Sequence, residues 1–237
     1  MRLLSRRNFL AGAPALGSIL AAKKLKVVVA GGHPGDPEYG CGGTVAKYSG
    51  QGHDVTLLYL NRGEKGCPGQ TAKACAATRT AEAQKACEIL KAQARFADET
   101  DGEAVVDQAH YEMFRRILES EKPDVVFTQW PIDNHRDHRA TSTLVYDAWL
   151  RMGKRFALYY YEVSDGEDTL MFHPTDYVDI TQTEARKRAA CYAHASQSPG
   201  RFYSLQSQVT HFRGIESGHA QAEAFIRHTE SLGNVLP

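Results

Sequence analysis

The stretch KVVVAGGHPGDPEYGCGGT, residues 26–44, decides the fold. It begins with a run of β-branched and small apolar residues, the pattern of a strand that is buried on both faces of a sheet. A loop with one histidine and one aspartate, His33 and Asp36, follows directly. Gly42-Gly43-Thr44 then opens a short predicted helix that a glycine ends. The segment therefore predicts a strand, a loop and a helix in that order.

The same alternation continues along the chain. Because parallel strands need helical crossovers between them, it predicts an α/β fold with a mostly parallel sheet flanked by helices. No repeat, low-complexity tract or linker interrupts it, so residues 23–237 are predicted to form one domain. Strands are predicted at 54–60, 94–98, 124–130, 155–163 and 177–180, and helices at 71–94, 108–120, 142–150, 183–196 and 220–228.

The composition is that of a soluble globular protein and excludes several classes. Hydrophobic residues make up 42% and charged residues 24% of the 237 residues. Lys plus Arg and Asp plus Glu number 28 each, so there is no basic excess to attract nucleic acid. We therefore expect no nucleic-acid partner. The composition is compatible with both a monomer and a homo-oligomer.

The first 22 residues have the layout of an export signal, with a basic start followed by apolar and small residues. Within them, Ser5-Arg6-Arg7-Asn8-Phe9-Leu10 resembles a twin-arginine signal. The apolar stretch is shorter than the roughly 20 residues of a membrane span, and no later segment qualifies. We expect an exported, periplasmic protein; one that stays anchored through an uncleaved signal is the alternative.

The five cysteines show no C-x-x-C spacing. Buried small hydrophobic residues are one interpretation of them. Cys67 and Cys75 flank a loop rich in turn-forming residues. If the protein is exported, a disulfide between them could form.

Two polar motifs follow strands of the predicted sheet. His33 and Asp36 follow the first strand, and a segment ending in His138 follows the strand at 124–130. In parallel sheets, ligands bind at the carboxyl ends of the strands, so the two loops converge if their strands are neighbours. Two histidines and one aspartate are a ligand set of catalytic zinc, which lowers the pKa of a bound water to about 7. Iron or another divalent ion could use the same ligands.

HPGDPEYGCGGT followed by DNHRDHRAT resembles the motifs of the PIG-L/LmbE-like family. The segments LNRGE, TRTAEA, HASQ and AEAF resemble further landmarks of that family in the expected order. The resemblance covers most of the chain after residue 24. It implies a Rossmann-like α/β sandwich and a zinc-dependent N-deacetylase of N-acetylglucosamine derivatives and related amides.

The resemblance also implies roles for individual residues. His33, Asp36 and His138 match the metal ligands. His135 matches the histidine that polarises the amide carbonyl or stabilises the oxyanion, and Asp137 matches the acid that orients that histidine. A positive group aimed at a developing oxyanion is often worth about a hundredfold in rate.

The sequence departs from the family at position 35. The family's first motif has two adjacent aspartates, and the first is the general base, but Gly35 stands there in this chain. Three interpretations follow. Another carboxylate, Glu38 or Asp133, replaces the base; the metal and His135 suffice; or catalysis is lost and the protein binds a ligand. Asp133 as an Asx-turn residue and Glu38 as a cap of the glycine-rich turn are the structural alternatives.

Three further residues are candidates for binding the substrate. Arg79 matches a family arginine near the substrate, with an ion pair to Glu82 as the alternative. Arg62 and Glu64, in the loop after the second strand, could line a pocket for a sugar ring.

The sequence therefore predicts a hydrolase that acts on carbon–nitrogen bonds other than peptide bonds. Its expected substrate is a small amino sugar or glycoconjugate, from which it removes an N-acetyl or other N-acyl group. The alternative is a non-catalytic metal- or carbohydrate-binding relative that lost its base at Gly35.

Overall fold

The computed structural model describes residues 23–163 and 168–237, and a seven-stranded sheet forms its centre. The predicted export signal, residues 1–22, lies outside the described residues. The elements in chain order are β1 (Lys26–Gly31), α1 (Asp36–Gly50), β2 (Asp54–Asn61), α2 (Ala72–Leu90), β3 (Gln93–Glu99), α3 (Gln108–Glu121), β4 (Val125–Gln129), α4 (Arg136–Arg151), β5 (Ala157–Tyr161), β6 (Asp176–Asp179), α5 (Glu184–Tyr192), a 3₁₀ turn (Ala195–Gln197), α6 (Pro199–Ser217) and β7 (Ala222–Arg227).

The strand order is β3-β2-β1-β4-β5-β7-β6. The first five strands in this order pair in parallel, and β7 runs antiparallel to both β5 and β6. The predicted α/β fold with a mostly parallel sheet is therefore confirmed. Since β1 and β4 are hydrogen-bonded neighbours, the loops after them, which hold the two sequence motifs, meet at one edge of the sheet.

Both faces of the sheet are buried, as the apolar run in β1 predicts. Val27 and Val29 pack into one core cluster, and Val28 and Ala30 pack into the other on the opposite face. Complete burial of a valine or leucine side chain stabilises a fold by about 1.5–3 kcal/mol. The strands thus form a rigid base for the loops at their carboxyl ends.

Helix α1 begins at Asp36 and not at Gly42, which corrects the sequence prediction. The glycines lie inside the helix because other elements approach it closely. A Cβ on Gly42 would lie 3.0 Å from Lys187 Cγ, and one on Gly43 would lie 2.6 Å from Ile180 Cγ2. They are packing positions rather than a helix start.

Two other predictions near helix ends are wrong. The segment 220–228 contains strand β7 and no helix; its Glu223 is buried and accepts hydrogen bonds from Gly43 N, Thr44 N and Lys187 Nζ. Glutamate and alanine favour helices in isolation, but this tertiary pairing overrides the propensity. Helix α2 ends at Leu90 rather than residue 94, because Lys91 adopts a left-handed conformation with φ 54°.

Helix α6 was not predicted, since its sequence is interrupted by Pro, Gly and several Ser residues. Across residues 23–163 and 168–237, no helix combines the length and apolar character needed to cross a lipid bilayer.

Candidate metal centre

The first motif lies in the loop between β1 and α1. Gly35 is the N-cap of α1 and has φ 113°, a conformation that favours glycine. Glu38, three residues later, accepts a hydrogen bond from Gly35 N at 3.2 Å. This backbone contact fixes the loop, so that His33 and Asp36 lie beside the end of β1.

The second motif lies in the equivalent loop between β4 and α4. His135 is the N-cap of α4, and its Nδ1 accepts a hydrogen bond from Asp137 N at 3.2 Å. Asp137 and His138 lie in the first turn of the helix and are buried.

The structure brings the three predicted metal ligands together. Asp36 Oδ2 lies 3.2 Å from His33 Nδ1 and 3.2 Å from His138 Nε2. The His135 ring centre lies 4.5 Å from that of His33 and 4.8 Å from that of His138. We call His33, Asp36, His135 and His138 the histidine cluster.

Carboxylates hold the second nitrogen of both histidines in the predicted ligand set. His33 Nε2 lies 3.1 Å from Asp137 Oδ2 and 3.2 Å from Asp101 Oδ1, and His138 Nδ1 lies 3.0 Å from Asp133 Oδ1. In metal sites such contacts fix the tautomer and orientation of a ligand histidine and raise its basicity. The arrangement leaves His33 Nδ1 and His138 Nε2 facing Asp36.

The electrostatics of the cluster favour charged forms. Burial opposes the charged form of His33, but its hydrogen bonds to the carboxylates of Asp101, Asp137 and Asp36 outweigh burial and raise the His33 pKa well above its usual value. Burial likewise opposes protonation of His138, yet the negative charge of Asp36 and the hydrogen bonds raise its pKa to about 9. Burial acts to raise the Asp36 pKa, but the two histidines hold it well below its usual range.

His135 has the opposite character. Burial and the positive charges of His33 and His138 lower its pKa, so it is neutral near pH 7. Since its Nδ1 accepts the Asp137 backbone N–H, Nε2 holds the proton. The carboxylate of Asp137 hydrogen-bonds to His33, whereas His135 meets only the Asp137 backbone N–H, which corrects the expected pair in which that carboxylate orients His135. The negative charge of Asp137 does act to raise the His135 pKa, but burial and the two other histidines outweigh it.

The donor chemistry fits a divalent metal. Two imidazole nitrogens and one carboxylate oxygen match the ligand set of catalytic zinc. Four carboxylates, Asp36, Asp101, Asp133 and Asp137, surround the histidines with side chains at most 13% exposed. Asp137 Oδ1 is buried without a hydrogen-bond partner. A cation would offset this concentration of negative charge.

Other ligand combinations are also close together. One nitrogen from each of His33, His135 and His138 lies within 4.8 Å of the others, as do ligand atoms of His33, Asp101 and Asp137. We favour His33, Asp36 and His138, because the second nitrogen of each histidine in this set is held by a carboxylate.

The two predicted replacement bases have other contacts. Glu38 Oε1 accepts from Tyr59 Oη at 2.7 Å and lies 3.0 Å from His194 Nε2, while Oε2 accepts from Gly35 N. Asp133 Oδ1 accepts from His135 N at 2.7 Å and holds His138. Both carboxylates therefore position the loops, and this counts against either one as the base.

Two of the three predicted substrate residues contact the loops around the histidine cluster, and the third does not. Arg79 is buried and donates to Pro34 O at 2.7 Å, directly beside Gly35. Glu64 Oε1 accepts from Asp101 N at 2.9 Å. Arg62 is not brought to the histidine cluster; it pairs with Asp98 and stacks on Phe96, with its guanidinium carbon 4.2 Å from the ring centre.

A cavity of about 150 Å³ opens beside Gly35. A Cβ on Gly35 would meet nothing closer than Tyr39 Cδ2 at 3.8 Å, so the missing side chain leaves space there. His194 Nδ1 is buried without a hydrogen-bond partner at its edge. The cavity is lined by Pro34, Gly35, Asp36, Tyr39, Arg79, Val163, Asp168, His194, Gln197, Phe202 and Gln206.

Sequence reasoning missed three residues of the site. Asp101 follows β3 and contacts His33, Asn61 ends β2 and donates to Asp137 Oδ2 at 2.9 Å, and Gln129 ends β4 and donates to Asp36 Oδ2 at 3.1 Å. The rule that polar residues at the carboxyl ends of parallel strands converge could have identified all three.

Comparison with known proteins agrees with this geometry. The model of the family "PIG-L: GlcNAc-PI de-N-acetylase" matches residues 27–149, just over half of the chain. The solved structure of the conserved protein TT1542 from Thermus thermophilus is 27% identical, with a TM-score of 0.77 over 89% of this chain and 97% of that one.

Two more distant structures share the fold. The N,N'-diacetylchitobiose deacetylase from Pyrococcus horikoshii is 24% identical, with a TM-score of 0.75 over 86% of this chain and 84% of that one. GalB, the 4-carboxy-2-hydroxymuconate hydratase from Pseudomonas putida, is 21% identical, with a TM-score of 0.78 over 90% of this chain and all of that one. The family match together with the converging motifs shows that the chain belongs to the PIG-L, or GlcNAc-PI de-N-acetylase, family.

Proposed function

We propose that this protein is a metal-dependent N-deacetylase, a hydrolase that removes an N-acetyl or other N-acyl group from an amino sugar or a sugar conjugate. The observation that supports it most strongly is the position of Asp36 Oδ2 between His33 Nδ1 and His138 Nε2. Membership of the family supports the reaction type, because the family is named for removal of an N-acetyl group from a glucosamine lipid.

His33, Asp36 and His138 would hold the metal, with zinc as the first candidate and iron or another divalent ion as alternatives. The chemistry that such an ion supplies is polarisation of a carbonyl and acidification of water near neutral pH. Asp137 and Asp101 keep His33 in place, and Asp133 keeps His138 in place.

His135 stabilises the oxyanion as a neutral donor. Its Nδ1 is occupied by the Asp137 backbone N–H, so Nε2–H is the group available to the amide oxygen. A neutral imidazole at a helix N-terminus can donate a hydrogen bond without giving up its proton to a water or carboxylate. One donor aimed at a developing oxyanion contributes about a hundred- to a thousandfold in rate.

In this proposal the metal and His135 suffice without a carboxylate base. A base must touch water or substrate, and the side chains of Glu38, Asp133 and Asp137 are completely buried. The Asp101 side chain is 11% exposed, but its Oδ1 holds His33 Nε2 and its Oδ2 accepts a hydrogen bond from Lys65 N. Asp101 therefore lies behind the His33 ring, on the side away from Asp36, and does not replace the carboxylate that Gly35 lacks.

The substrate would bind across the rim formed by Arg79, Glu64 and the cavity beside Gly35. Such a slot offers donors and acceptors for hydroxyl groups beside apolar walls, which suits a sugar ring. The deacetylase named for N,N'-diacetylchitobiose, which shares the fold, is consistent with this substrate class.

Acetate release tests the function. The full chain would be loaded with zinc and offered a panel of N-acetylated sugars and glycoconjugates, with a chelated sample as control. We expect release that the chelator abolishes and that zinc restores. No release across the panel by protein with one bound zinc would contradict a sugar deacetylase.

A second function is favoured by one observation, the glycine at position 35. In this alternative the protein is a non-catalytic relative that binds a metal or a carbohydrate. His135→Ala separates the two, because it lowers the turnover of an enzyme about a hundred- to a thousandfold and leaves the affinity of a pure binding protein for metal and sugar unchanged.

We also propose export through the twin-arginine route, with an uncleaved, anchored form as the alternative. A disulfide joins Cys67 and Cys75, and such bonds persist in oxidising compartments. A reporter fused to residues 1–30 should appear in the periplasm and should stay in the cytoplasm when Arg6 and Arg7 are changed to lysine. A cytoplasmic wild-type fusion would contradict export.

A further inference from the structure

A disulfide ties the loop between β2 and α2, residues 62–71, to the start of α2. Cys67 lies in the loop and Cys75 lies in the first turn of the helix, with their Cα atoms 5.6 Å apart. Arg79 follows Cys75 by one turn on the same helix face. The bond therefore fixes the loop beside the arginine that reaches the cavity.

The loop packs directly on the guanidinium of Arg79. Gly63 O accepts a hydrogen bond from Arg79 Nη1 at 3.1 Å and lies 3.4 Å from Cys75 Sγ. A Cβ on Gly63 would overlap the guanidinium, and one on Gly66 would lie 2.8 Å from Nη1. The second arm of the guanidinium donates to Pro34 O. Arg79 is thus held between the loop and the first motif.

The same loop holds Asp101 from two sides. Lys65 N donates to Asp101 Oδ2 at 3.0 Å, and Glu64 Oε1 accepts from Asp101 N at 2.9 Å. These contacts leave Asp101 Oδ1 facing His33 Nε2 at 3.2 Å. The position of Asp101 at the histidine cluster therefore depends on the position of residues 64 and 65.

We propose that the Cys67–Cys75 disulfide is a positioning element of the site, which holds loop 62–71 so that Arg79 and Asp101 keep their places. Without the bond, the loop gains conformational freedom that a few hydrogen bonds must oppose. Reduction is then expected to loosen loop 62–71 together with Arg79 and Asp101, and to leave the histidine cluster and the sheet intact. The kinetic part of this inference rests on the proposed function, but the structural part does not.

The first test measures the exposure of Arg79 and needs no turnover. The full chain, oxidised or reduced with a phosphine, is treated with phenylglyoxal, and the modified arginines are identified by mass spectrometry. A phosphine is used because dithiols bind zinc through their thiolates. Arg213, whose side chain is 12% exposed and ion-paired with Glu162, is the matched buried control, and Arg116, 73% exposed, reports on the reagent.

Reduction should speed the modification of Arg79 at least about tenfold and leave Arg213 and Arg116 unchanged. The variant Cys67→Ser/Cys75→Ser should show the fast rate with and without phosphine. Equal Arg79 rates in the oxidised and the fully reduced protein would overturn the proposal. A parallel rise at Arg213 would overturn it too, because it would indicate general loosening.

The second test measures kinetics on an N-acetylated sugar. Displacement of Asp101 should lower kcat and displacement of Arg79 should raise KM, so that kcat/KM falls about ten- to a hundredfold on reduction and recovers on reoxidation. Unchanged kinetics in reduced protein would overturn the positioning role. If the oxidised protein has no activity on any sugar, the proposed function fails, and the Arg79 modification still decides this inference.

Discussion

The two loops at the histidine cluster have the same architecture but differ in the residue that caps the following helix. The cap of α1 is Gly35, which offers only its backbone, whereas the cap of α4 is His135, whose imidazole lies among the ligand histidines. The first loop supplies two of the three predicted metal ligands. In the proposed function, both loops therefore supply metal ligands, and the second loop alone adds a side chain at its cap that can reach the substrate.

Removing a ligand should have the largest effect. His138→Ala leaves Asp36 and Asp133 without the imidazole between them, so we expect loss of bound metal and a fall in kcat/KM of about a thousandfold or more. Metal content and acetate release, measured on the same sample, check this. His228→Ala, at a histidine distant from the cluster, is the control. Retention of one full equivalent of zinc would contradict the ligand assignment.

Removing the cap of the second loop should leave the metal in place. His135→Ala deletes the neutral donor, and we expect kcat to fall about a hundred- to a thousandfold with the zinc content unchanged. The fall should not be rescued by raising the pH, because the group acts without losing its proton. A variant that loses zinc in proportion to activity would show that His135 is a ligand instead.

The substitution Gly35→Asp gives the cap of the first loop a functional side chain and so removes the main difference between the two loops. Gly35→Asp has room for its Cβ, although φ 113° costs the variant about 1–3 kcal/mol of stability. If the missing base limits the rate, kcat should rise about tenfold or more, because a positioned general base accelerates the proton transfer.

Gly35→Ala bears the same strain without the carboxylate and is the matched control for Gly35→Asp. An equal kcat for the two variants would show that Gly35 is not a lost base.

The affinity of the site for metal should depend on pH. In protein without metal, the His138 pKa is about 9 and that of His33 is raised, so both are protonated at pH 7. A metal binds the neutral rings, so its affinity should rise by up to about tenfold per pH unit and per released proton between pH 7 and 9. Calorimetry in buffers of different ionisation enthalpy measures that proton release. Affinity independent of pH in this range would contradict protonated ligands.

Most of the fold could be predicted from the sequence, because its strands are continuous apolar runs and periodicity reports directly on burial. The errors occurred where tertiary contacts decide. The sequence pattern predicts a helix start at the glycines inside α1, although they are there because Lys187 and Ile180 pack closely against them. It predicts a helix around Glu223, although this residue lies in a strand and binds the backbone of α1. Sequence periodicity holds no information about such contacts.

At the site, residue types and their order along the chain predicted which side chains meet. They did not predict which partner each one takes. Asp137 orients His33 rather than His135, and Asp133 lies behind His138. The first turn of α4 sets the direction in which each of these side chains points, and sequence spacing alone does not reveal it. Asp101 was missed since it follows β3, a strand without a recognised motif.

The metal dependence of the reaction is tested most directly by titrating zinc into the chelated full chain while acetate release from an N-acetylated sugar is recorded. We expect a rate that rises linearly to one equivalent of zinc and then stays constant, with no such rise in His138→Ala. Acetate release by the fully chelated protein, or one bound zinc with no release from any amide offered, would contradict a metal-dependent deacetylase.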